Sequence, residues 1–248
     1  MTHDQPMSPP LALPSSLAQL HAVRHGQSTA NTIFAQAQQR LPGRDADVKL
    51  SRMGAIQARA AGRWLSAFPP EQGPHTVVVS PYLRAHETWD LMAEQAMQHG
   101  RQTPVAWSDE RLRDREMGVL ELMPPAAIRR EQPREAERRS DLGEWAYRPP
   151  GGESLADVAL RVRDFLVQLD ATLPGRSVLL VAHDAVVIAL RYVLTGLGAP
   201  VPGHDTAVPN ASVTTWQGNG HHLALTSWAA TDHLTDVHPP ATRSPTDG

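Results

Sequence analysis

Three short apolar runs, separated by long stretches of helical pattern, constrain the fold of this 248-residue chain more than any other feature. The runs cover residues 20–23, 76–79 and 177–182, and in the last two apolar side chains follow one another almost without alternation. Strands that are buried on both faces of a parallel sheet have this composition. The succession of strands and helices therefore predicts an α/β fold, a three-layer α/β/α sandwich with a mainly parallel central sheet.

Weaker strand patterns cover residues 103–107, 212–216 and 223–227. The last two flank the sequence GNG at residues 218–220, which favours a tight turn. We expect these two segments to form an antiparallel hairpin at the edge of the sheet.

The helices are predicted from the residues at their ends. Ser80-Pro81 is the most complete start signal, because serine is a favoured N-cap and proline a favoured first helical residue. The helix that it starts should end before Gly100. Similar signals predict further helices over residues 52–68, 155–173 and about 185–195.

Residues 116–151 break this rhythm, because they are rich in proline, arginine and glutamate. We interpret them as an insertion that caps the sheet of one α/β domain spanning residues 18–235. The proline-rich residues 1–17 and the polar residues 236–248 are predicted to be disordered tails.

Composition excludes several classes of site and partner. The chain has no cysteine, which excludes a disulfide framework, a zinc-thiolate site and a thiol nucleophile. A formal net charge of −3 argues against nucleic-acid and membrane-surface binding. Neither a signal-peptide pattern nor a run of about 18 apolar residues is found, so a cytoplasmic location is predicted. A homodimer is compatible with the sequence, which does not fix the oligomeric state.

Chemically active residues follow the three apolar runs. Arg24 and His25 come directly after the first, Arg84 lies one turn into the helix after the second, and His183 and Asp184 follow the third. Ligands of open α/β sheets bind outside the carboxyl ends of the strands. We therefore expect these five side chains to meet at one rim of the sheet.

Five segments, in this order along the chain, resemble the signature motifs of a known family. They are VRHGQSTAN at 23–31, LSRMG at 50–54, SPYLRAHET at 80–88, PGGES at 150–154 and VAH at 181–183. On these segments the chain resembles the histidine phosphatase superfamily, phosphoglycerate-mutase-like branch (branch 1), over residues 18–228. A single RHG motif is weak evidence, whereas five motifs in the correct order are specific.

The chemistry of phosphate esters explains why such residues are needed. A phosphate monoester carries about two negative charges near neutral pH, and these repel a nucleophile unless they are neutralised. Arg24 and Arg84 can neutralise them with permanently charged, forked donors. Ser28 and Asn31 are placed to donate further hydrogen bonds to a bound substrate.

His25 is expected to attack phosphorus with one ring nitrogen, provided that a fixed acceptor keeps the other nitrogen protonated. The resemblance implies a phosphohistidine intermediate on His25, and it implies that His183 stabilises the transferring group. None of these steps calls for a metal or an organic cofactor, so neither is predicted.

The leaving alkoxide needs a proton, and here the chain departs from the family. Asp114 stands where the family usually has a glutamate, and its side chain is shorter by one methylene. Two other carboxyls compete with it. Glu116 lies two residues on and points to the same side as Asp114 if the segment is extended. Asp184 follows His183, and this His-Asp pair resembles the acid-phosphatase branch of the superfamily, where the aspartate is the proton donor. Asp184 is equally suited to cap the following helix. Asp114 is the preferred acid and Asp184 the second choice.

Other charged residues are interpreted from their neighbours. Arg148, just before the PGGES motif, is expected to bind substrate, with a salt bridge that anchors its loop as the alternative. Glu87 is expected to orient Arg84 or to fix the backbone. The insertion arginines alternate with glutamates, which favours ion pairs on a solvated helix; they are Arg129, Arg130, Arg134, Arg138 and Arg139.

These features together predict an enzyme, a metal-independent phosphatase that hydrolyses small phosphate monoesters. A phosphoglycerate-type mutase is the alternative, although the 69 positions from Asp114 to His183 are few compared with cofactor-dependent mutases. A non-catalytic phospholigand-binding protein is a third hypothesis, which the aspartate at position 114 supports.

Overall fold

The computed structural model describes residues 12–34, 36–69, 71–203 and 206–237. Its centre is a six-stranded sheet with the order β3-β2-β4-β1-β5-β6. The four strands from β3 to β1 are parallel, whereas β5 and β6 are antiparallel to their neighbours. The strands are β1 Gln19–Arg24, β2 Thr76–Val79, β3 Ala106–Ser108, β4 Ser177–Ala182, β5 Val213–Gly218 and β6 Leu223–Ala230.

Helices cover both faces of this sheet. In the described chain they are α1 Thr29–Phe34, α2 Arg52–Ser66, α3 Leu83–Gln98, α4 Pro125–Glu131, α5 Pro133–Ala146, α6 Leu155–Thr172 and α7 Asp184–Thr195. The predicted α/β sandwich with its antiparallel edge hairpin is confirmed. No helix of the described residues is long and apolar enough to cross a bilayer.

Strand β4 shows why the central strands are almost purely apolar. All six of its residues are buried. Leu179 and Val181 pack into the layer of α2 and α3, whereas Val178, Leu180 and Ala182 pack into the layer of α6 and α7. Because successive side chains of a strand point to opposite faces, a strand between two helical layers needs apolar residues at every position.

Two of the predicted helix starts are observed. The Ser51 side chain accepts a hydrogen bond from the backbone N–H of Gly54 and begins α2. Ser154 and Asp157 form a complete capping box at the start of α6. Both caps satisfy backbone donors that the first helical turn leaves free.

The start predicted at Ser80-Pro81 is wrong by two residues, because α3 begins at Leu83 with Tyr82 as its N-cap. The Ser80 hydroxyl lies 2.7 Å from Nε2 of His183 and also accepts a hydrogen bond from the backbone N–H of Tyr82. Ser80 therefore contacts a buried histidine of another strand end instead of capping the helix.

The N-terminal boundary also differs from the prediction. Residues 12–17 lie against the domain, although residues 1–17 were expected to be disordered. Leu17 is buried in the core, and Oδ1 of Asp170 accepts hydrogen bonds from the backbone N–H groups of Ser16 and Leu17. Residues 1–11 and 238–248 of the predicted tails lie outside the described residues.

The insertion over residues 116–151 contains α4 and α5 and has its own small apolar cluster. The buried members of this cluster are Leu120, Met123, Ala127, Ile128 and Tyr147. At the cluster's edge, Arg115 donates to the backbone carbonyl of Tyr147 and pairs with Glu144. These contacts place the insertion beside the carboxyl end of the sheet.

Candidate active site

The turn after β1 depends on close backbone packing. A side chain at Gly26 would place its Cβ 2.5 Å from the carbonyl oxygen of Gly54, and one at Gly54 would lie 2.0 Å from that of Gln27. The backbone N–H of Ser51 donates to the same Gln27 carbonyl at 2.8 Å. The segments RHG and LSRMG are therefore in direct contact, and their glycines permit it.

His25 is nearly fully buried at the start of this turn. Its Nδ1 lies 2.7 Å from the carbonyl oxygen of Gly26, an acceptor only, so Nδ1 carries the proton. Nε2 accepts a hydrogen bond from Nε of Arg84 at 3.2 Å and is therefore the basic nitrogen. Burial, followed by the charges of His183 and the two nearby arginines, holds the pKa of His25 well below its usual value. The ring is neutral at physiological pH.

Arg84 lies at the centre of the site with a side chain that is 4% exposed. Its Nη2 donates to Oδ2 of Asp114 at 2.7 Å. Its two Nη atoms also form a fork on the carboxylate of Asp45, with distances of 3.2 and 3.1 Å, and Nη1 donates to the Asp45 carbonyl at 2.6 Å. The Tyr82 ring lies against the guanidinium, 5.0 Å from centroid to Cζ.

His183 is fully buried between Ser80 and Asp114. Its Nε2 contacts the Ser80 hydroxyl, which is free to donate because it already accepts from a backbone N–H. Its Nδ1 lies 3.2 Å from Oδ2 of Asp114, in electrostatic contact but outside good hydrogen-bond geometry. Burial lowers the pKa of His183, and the Asp114 carboxylate opposes that shift.

Oδ2 of Asp114 therefore contacts both the Arg84 guanidinium and the His183 ring. Its other oxygen, Oδ1, accepts from the backbone N–H of Arg115 at 2.8 Å. Burial alone would raise the pKa of Asp114, but His183 and Arg84 stabilise the carboxylate and hold its pKa well below the usual value. Asp114 is therefore ionised at neutral pH.

Arg24, the residue before His25, pairs with a different acid from those that Arg84 contacts. Its Nη2 lies 3.2 Å from Oδ2 of Asp184, and its Nη1 donates to the Val208 carbonyl at 2.6 Å. The buried Nε of Arg24 has no hydrogen-bond partner among the described residues. Oδ1 of Asp184 accepts from the backbone N–H of Ala185, so Asp184 both pairs with Arg24 and supports the start of α7.

Ser28, which is buried, and Asn31 interact with each other just after His25 in the chain. The backbone N–H of Ser28 donates to Oδ1 of Asn31, and the backbone N–H of Asn31 donates to Oγ of Ser28. This reciprocal pair fixes the first turn of α1. Asn210, which sequence reasoning did not identify, donates to the same Asn31 oxygen and to the His25 carbonyl.

A cavity of about 670 Å³ opens onto these residues. Its lining includes eight of the predicted or competing site residues: Arg24, His25, Ser28, Asn31, Arg84, Asp114, Glu116 and Asp184. His183 lies outside the lining and reaches the site through Asp114 and through an edge-on contact with the His25 ring at 5.1 Å.

Arg148, like His183, does not line the cavity, and unlike His183 its side chain pairs outside the site. Its guanidinium pairs with Asp157, the residue that completes the capping box of α6, and its side chain is 62% exposed. The loop-anchoring alternative therefore describes Arg148. Glu87 fixes the backbone, because its carboxylate accepts from the N–H of Leu50 at 2.7 Å.

Asp45 is the site residue that sequence reasoning missed. It begins a short 3₁₀ turn, Asp45–Asp47, between α1 and α2, and none of the five motifs includes it. Burial raises its pKa and so does Asp114, whereas Arg84 lowers it. No local pattern would have identified it, because only the folded chain brings it to Arg84.

His25, Asp114 and His183 offer ligand atoms that all lie within 4.8 Å of one another, a spacing that a metal ion could use. Arg84 donates to Nε2 of His25 and to Oδ2 of Asp114, so a charged guanidinium already lies against two of these three residues. A guanidinium at that position supplies the positive charge by itself.

Comparisons with known proteins agree with the motifs. The sequence profile described as the histidine phosphatase superfamily (branch 1) matches residues 20–231. A 2,3-bisphosphoglycerate-dependent phosphoglycerate mutase of Methylorubrum extorquens is 34% identical over 182 residues, covering 70% of this chain and 77% of that protein. A glucosyl-3-phosphoglycerate phosphatase of Mycobacterium tuberculosis is 32% identical over 184 residues, covering 71% and 74%.

Solved structures give the same result. The mycobacterial glucosyl-3-phosphoglycerate phosphatase in complex with VO3 superposes with a TM-score of 0.68 at 30% identity, over 86% of this chain and all of that one. A phosphoglycerate mutase from Bacillus anthracis superposes with a TM-score of 0.70 at 20% identity, over 90% and 97%, and supports the fold alone.

Proposed function

The chain belongs to the histidine phosphatase superfamily, branch 1, and we propose that it hydrolyses small phosphate monoesters through a phosphohistidine on His25. The observation that carries this proposal is the fixed tautomer of His25. The Gly26 carbonyl holds the proton on Nδ1, and Nε2 is left basic beside Arg84 at the cavity. A neutral imidazole oriented in this way can act as a nucleophile without a separate base.

In the first step a bond forms between Nε2 and phosphorus while the bond from phosphorus to the ester oxygen breaks. Arg24 and Arg84 stabilise the charge of the transferring group, and His183 supports it from the side of Asp114. The leaving oxygen takes a proton from a carboxyl group. In the second step water attacks phosphorus, returns a proton to that carboxyl and releases His25.

Asp114 is the carboxyl that we propose for this proton transfer. All three candidate carboxyls pair with an arginine, but Asp114 is the one that lies within 4.8 Å of ligand atoms of both histidines. His183 and Arg84 stabilise its anion against the effect of burial and hold its pKa low. A bound phosphate adds negative charge next to it and competes for Arg84, which raises the pKa toward that of a proton donor.

Charge in the cavity supports hydrolysis over mutase activity. Four of the five arginines in its lining pair with carboxylates: Arg24, Arg84, Arg115 and Arg139. Only Arg44 has no ion pair within the described chain. A mutase must also hold the carboxylate and second phosphate of a phosphoglycerate, for which this lining offers few free cations.

The test is to trap the intermediate. Brief reaction with substrate, followed by an alkaline quench, should leave an acid-labile phosphoryl group on the peptide that contains His25. His25→Ala should abolish it, and His99→Ala, at an exposed histidine, should not. Absence of a phosphoenzyme with every ester, together with retained phosphate binding, would favour the non-catalytic hypothesis.

The mutase alternative is favoured by the 34% identity to the mutase of Methylorubrum extorquens. It is tested by supplying 3-phosphoglycerate with 2,3-bisphosphoglycerate and separating the products. Release of inorganic phosphate supports a phosphatase, and formation of 2-phosphoglycerate a mutase. The cytoplasmic location and a homodimer also remain proposals, based on the sequence alone.

A further inference from the structure

Arg84 has no N–H left for a ligand. Its guanidinium has five N–H groups. Nε donates to His25, Nη1 donates to the carbonyl and to Oδ1 of Asp45, and Nη2 donates to Oδ2 of Asp45 and to Asp114. A phosphate that binds Arg84 must therefore take the place of one of these acceptors.

Arg24 provides a contrast within the same cavity. Its buried Nε has no partner among the described residues. Nε of Arg24 can therefore donate to a phosphate oxygen without giving up an existing hydrogen bond, whereas Arg84 has no such N–H. The two arginines of the proposed phosphate site are not equally available.

Asp45 is the acceptor best placed to give way. Asp114 takes part in the proposed chemistry, and the hydrogen bond from Nε to His25 opens when Nε2 attacks phosphorus. That opening frees one N–H, whereas the Asp45 carboxylate occupies a fork of two. The side chain of Asp45 is 24% exposed, slightly more than the 20% of Asp114, the other carboxylate on Arg84. Its backbone N–H donates to Oε1 of Glu121 at 2.8 Å, which anchors the 3₁₀ turn while the carboxylate moves.

We propose that Asp45 is a specificity-determining residue whose carboxylate occupies the phosphate position on Arg84 and must be displaced by the phosphoryl group of the substrate. This inference rests on the proposed function, because it concerns the same site. A carboxylate that belongs to the chain has a high effective concentration next to Arg84. A free carboxylate offers the guanidinium the same fork and no advantage, whereas a phosphate dianion offers more oxygens and twice the charge.

Asp45 thereby selects phosphate groups against carboxylates that would otherwise fill the site. It also weakens the binding of phosphate itself, since each phosphate must break the existing ion pair. Weak product binding favours release of inorganic phosphate after hydrolysis. The selection is built into the fold, because Asp45 reaches Arg84 only when the segment between α1 and α2 packs against α3.

Direct binding of inorganic phosphate tests this inference without relying on turnover. The dissociation constants of phosphate and of acetate are measured by titration calorimetry for the wild type, Asp45→Asn and Asp47→Asn. Asparagine keeps the size of Asp45 but loses its charge, so phosphate should bind this variant about 10- to 100-fold more tightly, and acetate should become a detectable ligand. Asp47→Asn is the matched control, since Asp47 lies on the same turn, is exposed and does not line the cavity.

Equal phosphate affinity in wild type and Asp45→Asn would overturn the inference, and so would weaker binding, which would show that Asp45 orients Arg84 for phosphate. Equal tightening in Asp47→Asn would reduce the effect to overall charge and would also overturn it. Asp45→Ala is a second variant that removes the charge, and the thermal midpoint of each variant shows whether it is folded. A wild type that binds phosphate but hydrolyses no ester would contradict the proposed function and leave this test intact.

Discussion

His21 and His25 lie four residues apart and are both nearly fully buried, yet their surroundings differ in kind. His21 lies inside β1, where both ring nitrogens have neutral partners at 3.0 Å, Oγ1 of Thr215 and Oε1 of Gln19. The rings of Trp64 and Phe68 pack edge-on against it. His25 lies just beyond the strand end, where one nitrogen contacts a backbone carbonyl and the other contacts a charged arginine.

The difference shows that burial alone does not identify a reactive histidine. Burial lowers the pKa of both rings, to about 4 for His21. Only His25 has a nitrogen that faces a cavity and a set of charges arranged around it. His21, inside the sheet, contributes to packing, whereas His25, at the carboxyl ends of the strands, is placed for chemistry.

The largest expected effect separates the two histidines directly. His25→Ala should reduce turnover by at least about 10⁴-fold, because the proposed nucleophile is lost. His21→Ala should instead lower the free energy of unfolding by about 2–4 kcal/mol through lost packing and hydrogen bonds. Steady-state kinetics of both variants measure turnover, and denaturant unfolding measures their free energy of unfolding. If the two variants showed the same loss of activity at equal folded fraction, the division between interior and rim would be wrong.

A second prediction concerns the rim alone. Asp114→Asn keeps the size of the side chain but cannot donate the proton, so turnover should fall by about 10²–10⁴-fold. The loss should shrink for a nitrophenyl phosphate, whose leaving group needs no proton. Asp184→Asn and Glu116→Gln are the matched variants. The assignment to Asp114 fails if the dependence on the leaving group appears in Asp184→Asn instead.

A third prediction concerns the interior, where protonation should oppose folding. The pKa of His21 is about 4 in the folded chain and about 6.5 when unfolded, so its contribution to stability is complete above about pH 6.5. It is lost as the pH falls toward 4, by about 2–3 kcal/mol. His25 and His183 also have lowered pKa values, so the comparison is between wild type and His21→Leu. Between pH 7 and pH 4 the free energy of unfolding of wild type should fall by about 2–3 kcal/mol relative to that of His21→Leu, and a constant difference would contradict the shift.

A smaller effect is expected just outside the rim. Arg148→Ala should leave KM and kcat unchanged within error, because Arg148 pairs with Asp157 and does not line the cavity. Arg139→Ala is the matched variant, since Arg139 lies in the same insertion and does line it. A rise in KM for Arg148→Ala would show that the loop moves into the site when substrate binds.

The smallest effect is predicted for removal of metal ions. Turnover should be the same before and after treatment with a chelator, because arginines at the rim supply the positive charge that a metal would bring. Addition of magnesium or zinc should not increase it. Loss of activity with chelator, and its return with either ion, would assign a metal to His25, Asp114 and His183.

The motifs and the apolar runs were sufficient to predict the strands that position the site. Two of the three strong runs coincide with β2 and β4, and the third lies inside β1. Local patterns succeed here because a strand buried on both faces leaves an unbroken apolar segment. They failed at Ser80, where a good N-cap residue contacts His183 instead, since a tertiary contact outweighed the local preference.

The sequence by itself determined the α/β class, the order of the motifs and the residues that meet at the strand ends, because these depend on local composition and on the geometry of parallel strands. The tertiary structure decided which charges pair there. Asp45 contacts Arg84 and Arg148 contacts Asp157, and neither pairing follows from a motif. Ion pairs depend on distances of a few ångströms between segments far apart in the chain, and only the packed fold fixes those distances.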